Sequence, residues 1–156
     1  MRCYIHLALL FLLSNSLFAG NIVVSTTQND GVGSLRTAVQ NATEGDTISF
    51  NPNLLAIGNA TIELSSPIYA TQGLTFMGLK TATDTLFISG KDSFQLFNFN
   101  LSSSITKKVE FNNMSLTKGE TSLSGGAIYF TQGNDLIISN CYLRNNHANY
   151  GGAVYA

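Results

Sequence analysis

A repeat near the carboxyl terminus constrains the fold of this chain more than any other feature. The hexapeptide Gly-Gly-Ala-Ile-Tyr-Phe at 125–130 recurs at 151–156 as Gly-Gly-Ala-Val-Tyr-Ala. The segment 109–116 also matches 136–143, with one residue of slack between the two matches. Three short strands and three turns use up a period of about 26 to 27 residues, whereas a propeller blade takes about 40 residues. The repeat therefore predicts the turns of a right-handed parallel β-helix.

Apolar and polar residues alternate in the longer matching segments, 109–116 and 136–143. A period of two is typical of strands with one buried face, so the apolar members should line the core. Asn113 and Asn140 occupy the same place in the two copies, at a predicted bend. We expect their side chains to point inward, to stack, and to hydrogen bond to one another and to the turn backbone.

Glycine pairs mark a second bend in each copy. Gly125 and Gly126 in the first copy correspond to Gly151 and Gly152 in the second. Glycine at a sharp bend indicates either a positive φ or an approach of backbone so close that a Cβ would clash. We therefore expect all four glycines to have a structural role.

An aromatic pair follows the glycines. Tyr129 and Tyr155 align one turn apart, so we expect their rings to stack on one face of the solenoid. The stack has two interpretations at this point. It either stabilises the fold alone, or it also forms a platform for sugar rings or for a protein partner.

The N-terminal region follows a different pattern, which predicts a cap over one end of the solenoid. A strand at 22–24, a turn-rich loop at 29–33 and a strand at 47–50 enclose one amphipathic helix, predicted over 35–42 with Ser34 as its N-cap. The apolar stripe of this helix consists of Leu35, Ala38, Val39 and Ala42. Such a helix would prevent foreign strands from adding to the end of the β-helix.

The cap is assigned to residues 20–50 and the solenoid turns to residues 51–156. Strand-like segments at 61–64, 74–78 and 86–90 predict earlier and more degenerate turns. The pattern stops within a turn and no C-terminal cap is visible. We therefore predict an all-β solenoid that is C-terminally incomplete, and marginally stable or aggregating in isolation.

The first residues predict a signal peptide over 1–19. Arg2 precedes an unbroken apolar run at 7–13, and small or polar residues follow that run. The run is too short to span a bilayer, which takes roughly 20 apolar residues. We expect cleavage after Ala19, with a rival site at 14–16. An uncleaved N-terminal anchor is the alternative.

The composition favours an extracellular protein. Only 11% of the 156 residues are charged, whereas globular domains average about 25%. The net charge of −1 provides no basic field to attract phosphate, which argues against a nucleic-acid partner. Loss of Cys3 with the signal would leave Cys141 alone, so no intramolecular disulfide is expected.

Two sets of residues resemble known β-helix proteins. The stretch Gly-Val-Gly-Ser-Leu-Arg-Thr-Ala-Val at 31–39, with Gly-Asp-Thr-Ile at 45–48, resembles the N-terminal cap of many secreted bacterial right-handed β-helix proteins. The Gly-Gly-Ala-Ile and Gly-Gly-Ala-Val repeats, with Phe-x-x-Asn at 97–100 and Tyr-x-x-Asn at 142–145, resemble the polymorphic outer-membrane protein family. That family comprises autotransporter-type surface proteins, often implicated in adhesion. The resemblance implies a surface passenger segment, although the family's many turns and membrane barrel have no counterpart in this sequence.

Many β-helix proteins are polysaccharide lyases or hydrolases, which makes an enzyme the hypothesis to weigh against a surface protein. Glycoside hydrolysis takes two carboxylates about 5 to 9.5 Å apart. In the aligned turns Glu110 corresponds to Ile137 and Asp135 corresponds to Lys108, so neither acid gains a carboxylate partner. The alignment therefore argues against a hydrolase site in these turns.

The remaining reactive side chains have simpler interpretations. Glu44 and Asp46, which flank Gly45, are expected to have a role in a turn. Arg36 should cover the end of the barrel or hydrogen bond to carbonyl groups. Arg144 and His147 are expected to be solvated in an Asn-rich turn. Cys141 should be packed or half-packed, because no basic neighbour in the repeat would activate its thiol.

The sequence therefore predicts an exported, surface-associated β-helix that is structural or adhesin-like and not an enzyme. We expect no catalytic residue, no cofactor and no metal site, and no transmembrane span in the mature chain. A host-cell or surface protein, or a glycan, is the expected partner, and the expected location is secreted or on the outer membrane. The alternatives are the N-terminal part of a carbohydrate-active, pectate-lyase-like enzyme and a gene remnant without function.

Overall fold

The computed structural model describes residues 19–101, 107–132 and 135–156, so the predicted signal peptide lies outside the described residues except for Ala19. The chain forms a parallel β-solenoid of about five turns, which confirms the predicted all-β parallel β-helix. Its strands are β1 (Asn21–Val24), β2 (Thr47–Phe50), β3 (Ala60–Glu63), β4 (Ile68–Ala70), β5 (Thr75–Met77), β6 (Leu86–Phe94), β7 (Phe97–Asn100), β8 (Lys108–Asn112), β9 (Ser115–Ser124), β10 (Ile128–Thr131), β11 (Asp135–Ser139), β12 (Tyr142–Arg144), β13 (His147–Tyr150) and β14 (Val154–Tyr155). Among the described residues two short helices accompany them, α1 (Leu35–Asn41) and a 3-10 helix at Pro52–Leu55.

Three sheets run along the solenoid, and strands from successive turns lie next to one another in each. Sheet A has the order β1-β2-β5-β8-β11, sheet B β3-β6-β9-β12 and sheet C β4-β7-β10-β14, while β13 pairs with the second half of β9. Every pairing between these strands is parallel. We retain right-handed coiling as a prediction, because parallel crossovers are almost always right-handed.

The register of the last turns agrees with the sequence repeat. Leu136 pairs with Val109 in sheet A, and Tyr155 pairs with Tyr129 in sheet C, as the two copies of the repeat align them. Earlier turns differ in length, because the partner of Phe111 is Phe76, which lies more than one repeat period before it. Variable turn length explains why no repeat is visible upstream.

The N-terminal helix forms where the sequence predicts it. Its N-cap is Ser34, whose Oγ accepts a hydrogen bond of 3.2 Å from the backbone N–H of Thr37. The helix ends at Asn41, one residue before the predicted end. Ala42 is its C-cap and has an extended conformation. All members of the predicted stripe are buried, Leu35, Ala38, Val39 and Ala42. Because α1 contacts β1 of sheet A and β4 of sheet C, it covers the end of the solenoid.

Four phenylalanines form the centre of the core, and all are fully buried. Phe76 and Phe111 stack from adjacent strands of sheet A, with ring centroids 4.8 Å apart and planes 7° apart. Phe97 and Phe99, both from β7, meet them edge-on at 5.2 to 6.1 Å. Sheets A and C are therefore joined by one aromatic cluster.

The core opens in the last described turn. Ile138 pairs with the buried Phe111 but is 37% exposed, and Leu136 and Leu143 are only partly buried. These are the inward-facing positions of β11 and β12, whose far sides contact no further described strand. The expected tendency of the isolated chain to aggregate stays a prediction, and exposed edges of this kind favour it.

The asparagine bend differs from its prediction. Asn113 and Asn140 have φ values of 56° and 54°, in the left-handed region that asparagine tolerates better than most residues. Asn140 is exposed, and among the described residues neither side chain has a hydrogen-bond partner, so the hydrogen-bonded ladder is wrong. The left-handed residue interrupts the alternation, and Met114 becomes the buried residue after the bend. Asparagine is needed here for its backbone conformation.

Three of the four glycines at the bend agree with their prediction. Gly125 and Gly151 adopt positive φ, 65° and 57°. Gly126 instead lies close to neighbouring backbone: a Cβ there would be 2.5 Å from the carbonyl oxygen of His147. The prediction is wrong for Gly152, whose φ is not positive and where the nearest described atom to a Cβ would be 3.8 Å away.

Arg36 attaches the cap helix to the solenoid. Its guanidinium donates to the carbonyl oxygens of Pro67 at 2.8 Å and Ser66 at 2.7 Å, and to Asn29 Oδ1 at 3.0 Å. Its Nε lies 3.1 Å from the Asp30 carboxylate but makes no hydrogen bond there. The predicted role in bonding carbonyl groups is confirmed.

We expect the substitution Arg36→Met to lower the free energy of unfolding by about 2 to 3 kcal/mol, because several charge-assisted hydrogen bonds are lost from a side chain that is only 13% exposed. Urea unfolding of the two proteins would measure the difference. Arg36→Lys is the matched control: it keeps the charge but lacks the planar fork, so it should recover less than half of the loss. Equal stability of Arg36→Met and the unchanged chain would contradict this role.

Candidate functional site

An outward-facing column of side chains on sheet C is the candidate functional site. Tyr69 pairs with Asn98, Asn98 pairs with Tyr129, and Tyr129 pairs with Tyr155 on successive strands. Their neighbours along each strand point into the core, so these four side chains project outward. The rings of Tyr129 and Tyr155 stack with centroids 5.6 Å apart and planes 13° apart, which confirms the predicted stack.

A groove of about 310 Å³ lies beside this column. It is lined by Gln95, Asn98, Thr121, Leu123, Ser124 and Tyr129. The second half of β9 forms one bank, where Leu123 is 72% exposed. The groove therefore combines an aromatic ring, an exposed apolar side chain and several short polar groups.

A hydrogen-bond network fixes the polar floor of the groove. The Gln95 Nε2 donates to the carbonyl oxygens of Ser124 and Gly125, each at 2.8 Å, and Gln95 Oε1 accepts from Asn98 Nδ2 at 2.9 Å. Within the described part of the chain, Asn98 Oδ1 and the second N–H of that amide have no partner. Asn98 can therefore offer one acceptor and one donor to a ligand, from a side chain that is already oriented.

The groove and the column meet at Asn98 and Tyr129. Tyr69 and Tyr129 are two strands apart, which corresponds to roughly 9.5 Å along the solenoid, and the smaller Asn98 lies between them. Asn98 and Tyr129 line the groove, whereas Tyr69 does not. A sugar ring in the groove would therefore contact the Tyr129 ring and the Asn98 amide.

The tyrosine stack was predictable from the sequence, whereas the roles of Tyr69, Asn98 and Gln95 were missed. Tyr69 and Asn98 each lie between two inward-facing residues, an alternation that does mark them as outward. Their alignment with Tyr129 depends on strand offsets that differ from each other and from the visible repeat. No local sequence pattern predicts that register.

The acidic residues of the predicted cap and turns have structural partners. Asp46 accepts hydrogen bonds from the backbone N–H groups of Thr43 at 2.8 Å and Gly20 at 2.6 Å, and these bonds lower the pKa of its carboxyl below the ordinary value. Glu44 accepts from the backbone N–H of Gly73 and pairs with Lys107. Both are used in turns, as predicted.

The acids of the aligned turns lie as the alignment placed them. Glu110 is beside Ile137, and Asp135 is beside Lys108. A hydrogen bond from the Asn112 amide and another from Lys108 lower the pKa of Glu110, so it is stabilised as an anion. No group of three or more metal-binding side chains occurs in the part of the chain that the structure describes.

His147 and Arg144 lie on strands and not in a turn, which corrects the prediction. Arg144 ends β12 and His147 begins β13, with the bend at Asn145, whose φ is 54°. His147 Nδ1 is 3.0 Å from Glu120 Oε1 on the adjacent strand. The histidine side chain is 70% exposed, so the pair is solvated and has little influence on the fold.

Cys141 occupies the half-packed position predicted for it. Its Sγ lies 3.2 Å from the carbonyl oxygen of Ser139 and 3.4 Å from that of Phe111, and accepts from the Met114 N–H. Burial raises the pKa of the thiol, the opposite of what a nucleophile requires. The residue contributes to packing at the asparagine bend.

The comparisons with known proteins provide no relative for this chain. No protein-family model, no curated protein and no solved structure matches it. Among the described residues, no helix has the length and apolar character that crossing a membrane requires.

Proposed function

We propose that this chain is an exported, surface-associated β-helix of adhesin type that binds glycans on the outer face of sheet C without transforming them. The observation that carries the proposal is the 310 Å³ groove lined by the Tyr129 ring and the oriented Asn98 amide, adjacent strand partners on sheet C. Aromatic faces supply apolar contact to a sugar ring, and a fixed amide supplies donors and acceptors to its hydroxyl groups. A protein partner is the competing occupant and an outcome of the test below.

The chemistry of the groove lining supports binding without turnover. Glycoside cleavage takes a carboxylate pair or another acid and base within reach of the scissile bond. The lining residues carry amides, hydroxyls, a phenol and an alkyl group, none of which serves as such a pair. The enzymatic alternative would have to use another surface.

The low charge of the chain and its predicted export signal agree with this role. A surface protein meets its ligands outside the cell, where short polar side chains on a rigid β scaffold are common. Sheet C presents four register-matched outward positions, so an extended saccharide that enters the groove could continue along the column.

We expect Tyr129→Ser to weaken binding of a neutral oligosaccharide about ten- to thirtyfold, since truncation of a central aromatic contact costs about 1.5 to 2 kcal/mol. The immobilised chain would be screened against an array of neutral and acidic oligosaccharides, and the strongest neutral ligand titrated against each variant. Tyr155→Ser should lower the affinity less, because Tyr155 stacks on the side of Tyr129 away from Asn98.

Met77→Ser is the control, because Met77 is a large exposed side chain on β5 of sheet A, outside the groove. It should bind as the unchanged chain does. Equal affinities for Tyr129→Ser and Met77→Ser, or no glycan bound by any of the proteins, would contradict the proposal. Release of a cleaved saccharide on prolonged incubation would support the enzymatic alternative instead.

A further inference from the structure

A second outward-facing column, on sheet B, has a different chemistry. Phe87, Ser115 and Tyr142 pair on successive strands β6, β9 and β12. Ile88, Leu116 and Leu143, the next residue along each strand, point inward, so the column faces outward. Because serine is much smaller than its two aromatic neighbours, it leaves a slot between them.

The slot is a cavity of about 230 Å³. Its lining residues are Phe87, Ser115, Leu116, Thr117, Tyr142, Arg144 and Asn145. Phe87 and Tyr142 are two strands apart, roughly 9.5 Å, and therefore form its opposite walls. Ser115 lies between the walls and is only 4% exposed, whereas Thr117 lies two residues farther along β9, between Ser89 and Arg144.

Two cations converge on the Tyr142 wall. The Lys80 Nζ lies 4.5 Å from the centre of the Tyr142 ring, in a cation–π contact. Arg144 lies two residues beyond Tyr142 and therefore on the same face of β12, about 7 Å along the strand. Arg144 lines the slot itself, and Lys80 lies beside it at the Tyr142 ring, so a ligand in the slot would contact the first cation and lie near the second.

Within the described ranges, no carboxylate lies within salt-bridge distance of this pair of cations. Among the described residues Lys80 and Arg144 form no salt bridge, whereas Lys107, Lys108 and Lys118 each lie within 4 Å of a carboxylate. Asp84, the acid closest to Lys80 in sequence, accepts a hydrogen bond of 2.7 Å from the Thr83 hydroxyl instead. Glu63 shares the column of Arg144 but lies three strands below it, roughly 14 Å away.

We propose that this slot is a binding site for an acidic saccharide. A sugar ring would lie against the aromatic walls, with its hydroxyl groups on Ser115 and Thr117. Its anionic substituent, a carboxylate or a sulfate, would be held by Lys80 and Arg144. Arginine favours such groups because its planar fork binds two oxygens at once. The site goes beyond the proposed function and is separate from the neutral groove on sheet C.

Three related probes test the charge requirement: lactose, 3′-sialyllactose, which carries a carboxylate, and lactose 3′-sulfate. Surface plasmon resonance on the immobilised chain should show at least tenfold tighter binding of one or both anionic probes than of lactose. The tighter of the two identifies the anionic group. Arg144→Gln and Lys80→Gln should each weaken the anionic probe five- to tenfold and leave lactose unchanged.

Lys108→Gln provides the matched control, because Lys108 is an exposed cation on sheet A. It removes the same charge elsewhere and should bind like the unchanged chain. Ser115→Phe fills the slot with a ring that continues the column from Phe87 to Tyr142, so it should keep the fold and abolish binding. Circular dichroism confirms that this variant is folded.

Several outcomes would overturn the proposal. These are equal binding of lactose and both anionic probes, no binding of either anionic probe at millimolar concentration, and unaltered anionic binding by the folded Ser115→Phe variant. A loss in Lys108→Gln as large as in Arg144→Gln would also do so. Tyr129→Ser should leave anionic binding intact, so failure here is distinguishable from failure of the neutral groove.

Discussion

Replacement of Gly126 by alanine is expected to lower the free energy of unfolding by about 3 kcal/mol or more, whereas the same replacement at Gly152 should change it by less than about 0.5 kcal/mol. A Cβ on Gly126 would lie 2.5 to 2.7 Å from the backbone carbonyl oxygens of His147, Gly152 and Gly119. Three backbone groups from two turns would have to move at once. A Cβ on Gly152 would meet nothing closer than 3.8 Å.

The pair of variants isolates steric crowding from conformational preference. Gly126 and Gly152 occupy the same position in successive copies of the repeat, and neither has a positive φ. Both exchanges remove the same flexibility from the unfolded chain, an effect that favours alanine slightly. The difference between the variants therefore reports how closely the next turn approaches Gly126, whose N–H donates to Gly152 O at 2.8 Å.

Thermal unfolding followed by circular dichroism would measure both variants. A loss of about 3 kcal/mol in a domain of this size lowers the melting temperature by roughly 10 °C. A similar decrease for Gly152→Ala would show that glycine is needed at this bend for flexibility alone. No decrease for Gly126→Ala would show that the two turns lie farther apart than the 2.8 Å hydrogen bond from the Gly126 N–H to the Gly152 carbonyl oxygen requires.

The sequence predicted the part of the fold that repeats. In the last two turns both the period and the pairing of Val109 with Leu136 follow from residues visible side by side. The same positions of successive turns need the same residue types there, so the repeat is visible in the sequence. The N-terminal cap was equally predictable, because an N-cap serine and an apolar stripe are local features.

Two features depended on register or backbone geometry and were not predictable locally. The column of Tyr69, Asn98 and Tyr129 needs strand pairing across turns of unequal length, which no single segment encodes. The asparagine bend was located correctly but explained wrongly. Its left-handed backbone at Asn113 and Asn140 satisfies the bend, and no side-chain ladder is needed.

The slot on sheet B shows a further limit of reasoning from strands alone. Lys80 lies outside the named strands, in a hairpin closed by a bridge to Thr85, yet its ammonium reaches the ring of Tyr142, which is distant in sequence. Charged side chains on connections are long and can cross several strand spacings. A positive site can therefore arise from residues that show no pattern along the sequence.

Phe111→Ala is expected to lower the free energy of unfolding by about 3 to 5 kcal/mol, and Ile138→Ala by about 1 kcal/mol or less. The two residues are register partners on adjacent strands and point in the same direction. Phe111 is fully buried against Phe76, Phe97 and Phe99, whereas Ile138 is 37% exposed in the last described turn. The difference should reflect coverage, because truncating an enclosed ring leaves a cavity and truncating a half-exposed chain does not.

Urea unfolding of both variants would measure the two losses in the free energy of unfolding. The dependence of this free energy on urea concentration should also be compared between the variants. In a solenoid each turn is stabilised by its neighbours. Phe111→Ala lies in a turn with neighbours on both sides and should weaken two interfaces, while Ile138→Ala in the last described turn should weaken one. Comparable losses for Phe111→Ala and Ile138→Ala would mean that another surface covers Ile138 in solution. Self-association through the exposed strand β11 is the simplest such cover, and sedimentation of Ile138→Ala at several concentrations would reveal it.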